Sequence, residues 1–197
     1  MEIKNETTQG VNLINSHLPE IELEVYQKEK TRKIKLSDYH GKWLILFFYP
    51  ADFTFICPTE LRELADNYKK FQDLDAEIIS VSTDTVFAHK AWHDSSEAVK
   101  NIDFPMAADP TGKLAKALGV YLADEGMASR GTFIVNKAGF IKSIEINDNS
   151  IGRSAQELLR KLQAAIFVDQ HGDQVCPASW QPGDKTLKPG LDLVGKI

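Results

Sequence analysis

Cys57 lies in the segment Pro50-Ala-Asp-Phe-Thr-Phe-Ile-Cys-Pro58, which places the hydroxyl of Thr54 shortly before a thiol. The proline after Cys57 biases this cysteine away from helical backbone angles and places it at or beside the N-cap of a helix. A sulfur there faces unpaired amide hydrogens and the positive end of the helix dipole, and both favour the nucleophilic thiolate. A lone cysteine is more often a small buried hydrophobic residue than a nucleophile. The prediction of a reactive thiol therefore depends on the position of Cys57 at a helix start and on its spacing from Pro50 and Thr54.

Cys176 is the other cysteine of the chain and lies in a tail rich in proline and glycine. The chain contains no Cys-x-x-Cys pair, the signature of a thioredoxin-type reductase. The polar N-terminus lacks the apolar stretch of a signal peptide, which predicts a cytoplasmic protein. Since structural disulfides are rare in the cytosol, we expect any disulfide between the two cysteines to be transient and catalytic.

The composition predicts a single domain with one hydrophobic core and some additional segments. The chain has 197 residues, of which 43% are hydrophobic, and its net charge is −5. The negative charge and the scattered lysines argue against nucleic acid or an anionic membrane as the main partner. No apolar stretch approaches the roughly 20 residues that a membrane-spanning helix needs.

An apolar run at residues 43–49, bounded by Gly41 and Pro50, predicts a strand buried on both faces of a sheet. Apolar residues at helical spacing follow from Pro58, so the thiol stands where a buried strand passes into a helix. Further strands are predicted at residues 21–26, 33–36, 77–81, 132–136 and 140–146, and further helices at residues 86–99, 113–118 and 154–168. This mixture of strands and helices predicts an α/β domain.

Two helices carry start signals in the sequence. Asp109 followed by Pro110 predicts a cap and a first helical residue, and Ser154 predicts the N-cap of the last helix. Helical periodicity then stops, so we predict a domain at residues 1–168 and a C-terminal arm at residues 169–197. Such an arm either packs on another surface or moves.

The segment Phe48-Tyr-Pro-Ala-Asp-Phe-Thr-Phe-Ile-Cys-Pro-Thr-Glu60 resembles the active-site motif of the peroxiredoxins. Val175-Cys-Pro177 resembles the resolving-cysteine motif of their typical two-cysteine branch. Five further segments extend the resemblance over nearly the whole chain, most closely to bacterial members: Ser80-Val-Ser-Thr-Asp-Thr85, Ala91-Trp-His93, Asp109-Pro-Thr-Gly112, Ser129-Arg-Gly-Thr-Phe133 and Leu191-Asp-Leu-Val-Gly-Lys-Ile197. The resemblance implies a thioredoxin-like fold, with a mixed central sheet flanked by helices, and the activity of a thiol peroxidase.

The resemblance assigns the peroxide chemistry to four residues. Cys57 would be the peroxidatic cysteine, which attacks the terminal peroxide oxygen and becomes a sulfenic acid. Thr54 and Arg130 would align the peroxide with the thiolate, and Pro50 would shield the sulfenic acid. Without the family, Thr54 is an ordinary loop hydroxyl and Arg130 is a surface arginine in an ion pair.

The resemblance also assigns supporting roles. Glu60 and Arg153 would brace Arg130, although Glu60 alone is an ordinary acid in the first turn of a helix. Cys176 would be the resolving cysteine, which condenses with the sulfenic acid of Cys57 on a neighbouring subunit to form a disulfide.

Partners follow from the same resemblance. Homodimers with two equivalent intersubunit disulfides would assemble into a decamer, with the regions of Phe53 and Phe87 near the contact between dimers. The substrate would be a hydroperoxide, and no metal or bound organic cofactor is implied. Electrons would come from a separate disulfide reductase, either a flavoprotein that draws on NADH or thioredoxin.

Other functions stay open at this point. A ring-forming chaperone or redox relay would use Cys57 only as a sensor, whereas a thioredoxin-like oxidoreductase is disfavoured by the missing Cys-x-x-Cys pair. His89 and His93 have the spacing of a zinc-binding helix, but Lys90 stands where the general base of such a site belongs. With no third ligand evident, the sequence favours a partly exposed helix face over a zinc site.

The segment at residues 99–105 bears on the fate of the sulfenic acid. Eukaryotic peroxiredoxins that are sensitive to overoxidation carry a Gly-Gly-Leu-Gly insertion here and a terminal helix with a Tyr-Phe pair. This sequence has no such insertion and stops at Ile197. We therefore expect disulfide formation to outrun overoxidation.

Overall fold

The structure, a computed structural model, describes residues 12–196. Residues 1–11, whose polar character led to the prediction of a cytoplasmic protein, lie outside the described residues, and so does Ile197, the last residue of the motif at residues 191–197. The strands are β1 (Glu22–Gln27), β2 (Lys30–Lys35), β3 (Trp43–Phe48), β4 (Ala76–Ser82), β5 (Met106–Ala108), β6 (Tyr121–Leu122), β7 (Met127–Ala128), β8 (Arg130–Val135) and β9 (Ile141–Asn147). The helices are α1 (Cys57–Asp73), α2 (Val86–Ser95), α3 (Lys113–Ala117) and α4 (Ala155–Gln170), with short 3-10 turns at Leu36–Tyr39 and Leu191–Leu193.

A seven-stranded mixed sheet forms the centre of the part of the chain that the structure describes, in the order β2-β1-β5-β4-β3-β8-β9. β3 and β5 are both parallel to β4, and the other neighbouring strands are antiparallel. Strands β6 and β7 form a separate small hairpin. Helices pack on both faces of the sheet, so the fold is the α/β fold that the sequence predicted and the thioredoxin-like fold that the resemblance implied.

Strand β3 positions the thiol. All of its side chains are buried, as its apolar run predicted. Successive side chains point to opposite faces, so Ile45 packs with α1, α2 and α4, whereas Leu44 and Leu46 pack on the face covered by α3. β3 ends at Phe48, and residues 49–56 then lead directly into α1. The segment with the thiol therefore leaves the sheet at the carboxyl end of a central strand.

The start of α3 corrects one prediction. Pro110 is not the first helical residue, because Gly112 is the N-cap, with a φ of 63°. Asp109 still caps the helix from the preceding loop, where its carboxylate accepts the amide hydrogens of Leu114 and Ala115 at 3.2 and 2.8 Å. At α4 the prediction is confirmed, since Ser154 is the N-cap. Helix α2 ends at Ser95, earlier than predicted, and the very short β5, β6 and β7 were not predicted.

The C-terminal arm packs against α4. Val175 and Leu187 form an isolated bridge, with amide-to-carbonyl distances of 2.9 and 3.1 Å, which closes a loop of the arm. Trp180 inside this loop is only 3% exposed, and its ring lies 4.9 Å from that of Phe167 on α4. None of the helices in residues 12–196 is long and apolar enough to cross a membrane.

Candidate active site

Cys57 is the first residue of α1 and is fully buried. Ile56 is the N-cap, so the prediction that the thiol lies beside the cap is confirmed, but Cys57 itself is already helical. The proline in the next position tolerates this, because an amide hydrogen in the first helical turn has no partner within the helix. The sulfur therefore lies at the positive end of a helix dipole and away from water.

Arg130 brings a positive charge to this sulfur. It is the first residue of β8, which pairs with β3, and it is only 3% exposed. Its Nη1 atom donates to the Sγ atom of Cys57 at 3.4 Å. A guanidinium that donates to sulfur stabilises a thiolate more than a thiol. The interpretation of Arg130 as a surface arginine is wrong.

Glu60 holds two arginines around the thiol. It is buried in the first turn of α1, and its Oε2 atom accepts from Arg130 Nη1 at 2.7 Å. Arg153 donates to the same carboxylate through Nε at 2.9 Å, Nη2 at 3.1 Å and its backbone N–H at 2.8 Å. Burial lowers the pKa of Arg153, an effect that its hydrogen bond to Glu60 opposes. The structure thus brings together Cys57, Glu60, Arg130 and Arg153.

Three further residues fix the arginines, and sequence reasoning missed them. Arg153 Nη1 donates to Thr132 Oγ1 at 3.0 Å, and its guanidinium lies 3.5 Å from the centre of the Phe47 ring. Arg130 Nε donates to the backbone carbonyl of Asn149 at 2.9 Å. Contacts to a backbone carbonyl or to the Phe47 ring cannot be predicted from the types of residue in the sequence. Any residue supplies a carbonyl, and Phe47 has the pattern of an ordinary core residue.

The structure does not join Thr54 to the sulfur by a hydrogen bond. The Thr54 hydroxyl donates to the backbone carbonyl of Ala51 at 2.8 Å and is half-buried. This bond uses the hydroxyl hydrogen of Thr54 and leaves the hydroxyl oxygen able to accept a hydrogen bond. Pro50 is buried at the start of the same loop. Both residues therefore lie in the turn that precedes the thiol, as the motif requires.

A buried polar group under this loop was also missed. Asp52 accepts from the Tyr49 hydroxyl at 2.7 Å and from His89 Nδ1 at 2.8 Å, and its backbone N–H donates to Asp84 at 2.9 Å. Burial, followed by the nearby Asp52 carboxylate, raises the pKa of Tyr49. His89 is fully buried, so the expectation of a partly exposed helix face is wrong for this residue.

Cys176 is a second free thiol and is half-buried in the arm. Its Sγ atom lies 3.9 Å from the Ala164 carbonyl on α4. Burial raises the pKa of the Cys176 thiol, and the positive charge of Arg160 partly offsets this effect. The structure does not bring Cys176 to Cys57 within one chain, since both thiols are free.

Comparison with known proteins identifies this arrangement. The model of the AhpC/TSA family matches residues 14–144, which include the thiol, Glu60 and Arg130. This chain belongs to the AhpC/TSA family. A second family model, the C-terminal domain of 1-Cys peroxiredoxin, matches residues 166–194, the arm with Cys176.

Relatives and solved structures agree with this assignment to the AhpC/TSA family. The chain is 46% identical over 187 residues to alkyl hydroperoxide reductase C of Salmonella typhimurium, which covers 95% of this chain and 100% of that protein. The crystal structure of Enterococcus faecalis AhpC is 50% identical, covers 84% of this chain and 99% of its own, and has a TM-score of 0.82. The reduced 2-Cys peroxiredoxin of Plasmodium vivax is 28% identical, covers 92% and 95%, and has a TM-score of 0.88. The chain is a peroxiredoxin, an enzyme of the thiol peroxidase class.

One cluster of this peroxiredoxin has the geometry of metal ligands. Glu29, His93 and Asp94 lie within reach of a common ion at the surface. Lys90 already pairs with both carboxylates of this cluster, because its Nζ atom lies 2.7 Å from Glu29 and 2.8 Å from Asp94. His93 thus lies in a surface ion-pair cluster and His89 in the core. The two histidines therefore do not form a common metal site.

Proposed function

We propose that the chain reduces hydrogen peroxide and small organic hydroperoxides to water and alcohols, with Cys57 as the peroxidatic and Cys176 as the resolving cysteine. The observation that carries this proposal is the hydrogen bond from buried Arg130 to the Cys57 sulfur, with Arg130 held by Glu60. The reaction needs no metal and no bound organic cofactor, because the sulfur itself carries the two electrons that the peroxide accepts.

In the first step, the Cys57 thiolate attacks the terminal oxygen of the peroxide. The S–O bond forms as the O–O bond breaks, and the leaving alkoxide takes up a proton to become an alcohol or water. Arg130 lies 3.4 Å from the sulfur and can stabilise the charge that moves from sulfur to oxygen. The Thr54 oxygen is free to accept the peroxide hydrogen, and Pro50 walls off one side of the loop.

In the second step, Cys176 attacks the sulfenic acid of Cys57 to give a disulfide and water. Cys57 is fully buried, so this step requires it to leave its pocket. Only the first turn of α1 has to unwind for this, because Cys57 is the first residue of the helix. We propose that the arm reaches Cys57 of a partner subunit, and a two-fold dimer makes the two disulfides equivalent.

Exposed apolar side chains support assembly into dimers and a decamer. β9 is an edge strand of the sheet, and its Ile146 is 51% exposed. Unpaired strand edges favour pairing with another copy. Phe53 and Phe87, at 60% and 78% exposure, lie where the family resemblance puts the contact between dimers. We propose this pentamer of dimers for the chain.

The disulfide must be reduced by another protein. We propose a flavoprotein disulfide reductase that draws on NADH, with thioredoxin as the substitute, and a location in the cytoplasm. We further propose that residues 1–168 form the peroxidase domain and residues 169–197 the arm that presents Cys176. The end of α4 at Gln170 and the separate match of residues 166–194 to the C-terminal domain of 1-Cys peroxiredoxin support this division.

Peroxide consumption with a reducing system tests the proposal. We expect the wild type to consume peroxide, Cys57→Ser to lose turnover entirely, and Cys176→Ser to lose turnover with disulfide reductants. A non-reducing gel of the oxidised wild type should show a covalent dimer, which both variants lack. Turnover in Cys57→Ser would refute the peroxidase assignment, and an oxidised wild type that runs only as monomer would refute the intersubunit disulfide.

A further inference from the structure

Residues 152–155, which lead into α4, run along the beginning of α1. A Cβ atom placed on Gly152 would lie 3.3 Å from the Cγ2 atom of Ile56, the N-cap of α1. The backbone N–H of Arg153 donates to the Oε1 atom of Glu60, in the first turn of α1, at 2.8 Å. The contacts of this segment therefore advance along α1 from its cap into its first turn.

Glu63 continues this series of contacts into the second turn of α1. Its Oε1 atom accepts the backbone N–H of Ala155, the first residue of α4, at 3.0 Å. The hydroxyl of Ser154, the N-cap of α4, donates to the same oxygen at 3.5 Å. An amide hydrogen in the first turn of a helix has no partner within that helix, and a carboxylate there also faces the positive end of the helix dipole. Glu63, a residue of α1, therefore caps α4.

This contact lies one turn beyond the part of α1 that has to unwind. In an α-helix each amide donates to the carbonyl four residues earlier, so the amides of residues 61–64 bind the first turn, residues 57–60. The amides of residues 65–68 bind the second turn in the same way. When Cys57 leaves its pocket, the first set of bonds breaks, whereas the second set can remain. Breaking the second set would pull Glu63 away from α4, so the Glu63 contact opposes unwinding beyond the first turn.

Apolar packing in the second turn of α1 favours the same boundary. Leu61 and Leu64 are almost completely buried. They belong to the same core cluster as Leu158 and Leu162 of α4, so unwinding of this turn would expose them to water. Apolar contacts are not directional, whereas the hydrogen bonds of Glu63 fix the second turn of α1 to one place, the start of α4.

We propose that Glu63 is a positioning residue that confines the unwinding of α1 to its first turn. It anchors the second turn to the start of α4, so that the apolar side chains of this turn stay packed while Cys57 is outside its pocket. After reduction of the disulfide, the first turn re-forms on an intact helix and returns Glu60 to Arg130 and Arg153. This inference rests on the proposed function, because Cys57 leaves its pocket in order to form the disulfide.

Hydrogen–deuterium exchange of the reduced protein tests the inference without any peroxide chemistry. We expect Glu63→Ala to speed the exchange of residues 65–68 roughly fivefold, the effect of losing a helix cap, and to leave residues 61–64 nearly unchanged. Glu63→Gln keeps an acceptor oxygen, so its exchange should lie between those of Glu63→Ala and the wild type. Asp73→Ala is the matched control, because it removes an exposed acid that binds Lys69 in the same helix. Exchange of residues 65–68 that is no faster in Glu63→Ala than in Asp73→Ala would overturn the inference.

The same measurement on peroxide-oxidised protein separates this inference from the function on which it rests. In the disulfide form of the wild type, the amides of residues 61–64 should exchange rapidly, whereas those of residues 65–68 should stay protected. Glu63→Ala should lose this protection by at least the factor seen in the reduced protein. Equal loss of protection at residues 65–68 in the wild type and in Glu63→Ala would overturn the inference alone. Absence of a disulfide in every variant would overturn the proposed function, while exchange in the reduced protein still decides whether Glu63 anchors the second turn.

Discussion

The Nη1 atom of Arg130 lies 3.4 Å from the Sγ atom of Cys57, and both side chains are almost completely excluded from water. In such a site a hydrogen bond to an anion is worth more than at the surface, because water does not compete for it. Glu60 holds Arg130 in this position through a second hydrogen bond to the same Nη1 atom. The contact between Arg130 and Cys57 therefore links the fold directly to the reactivity of the thiol.

Replacement of Arg130 tests this link. Arg130→Met should lower the rate constant for the first equivalent of peroxide about 100-fold or more, since loss of one preorganised donor to developing charge has an effect of that size. Stopped-flow measurement of Cys57 oxidation gives this rate constant. Arg130→Lys should keep part of the rate, because it retains charge but loses the planar fork. A loss below about threefold in Arg130→Met would show that the contact does not contribute to reactivity.

Glu60→Gln should destabilise the protein through charge. The Glu60 carboxylate pairs with the guanidinium groups of both Arg130 and Arg153, which are buried. Removing the carboxylate charge leaves both cations poorly compensated, at a cost of about 3 kcal/mol in the free energy of unfolding. Urea unfolding followed by circular dichroism measures this. As a control, Glu97→Gln removes an exposed acid that pairs with Lys100 and should change stability very little. Equal effects in both variants would contradict the expectation.

Asp52→Ala should weaken the loop under the thiol. The change leaves the Tyr49 hydroxyl and His89 Nδ1 without their buried acceptor, at a cost of about 2–4 kcal/mol in the free energy of unfolding. It should also slow oxidation of Cys57, because the loop with Thr54 loses its anchor. Asp73→Ala, at an exposed carboxylate bound by Lys69, is the control for both measurements. Wild-type stability in Asp52→Ala would show that the network does not hold the loop.

The enzyme should resist inactivation by its own substrate. Residues 99–105, in the segment that connects α2 to β5, lack the insertion that characterises overoxidation-sensitive peroxiredoxins. With less structure over the first turn of α1, Cys57 should leave its pocket before a second peroxide arrives. Mass spectrometry after turnover with increasing peroxide measures sulfinic acid on Cys57. Its accumulation at micromolar peroxide would contradict this expectation.

The sequence predicted the strand that precedes the thiol, and the family resemblance pointed to the side chains that the structure places around it. The buried strand and the helix after it follow from hydrophobic periodicity alone. Arg130 and Arg153 are distant in sequence from Cys57, and only the family resemblance pointed to them. Their burial could not be predicted, because it depends on the carboxylate of Glu60 that pairs with both.

The network under the loop could not be predicted from residue types. Asp52 and His89 lie on different elements, and an isolated aspartate or histidine is common at a protein surface. Spacing instead suggested His89 and His93 as a pair, whereas the fold buries the first and places the second beside Tyr26. Contacts between elements decide such roles, and a single sequence does not contain them.

A single turnover with Cys176→Ser tests the central claim most directly, because this variant can form the sulfenic acid but cannot resolve it. One equivalent of hydrogen peroxide is added without reductant, followed by dimedone and mass spectrometry of the peptide that contains residue 57. The account predicts loss of the peroxide and one dimedone adduct on Cys57, with no adduct and no peroxide loss in Cys57→Ser. Peroxide loss that persists in Cys57→Ser, or the absence of an adduct on Cys57, would contradict it.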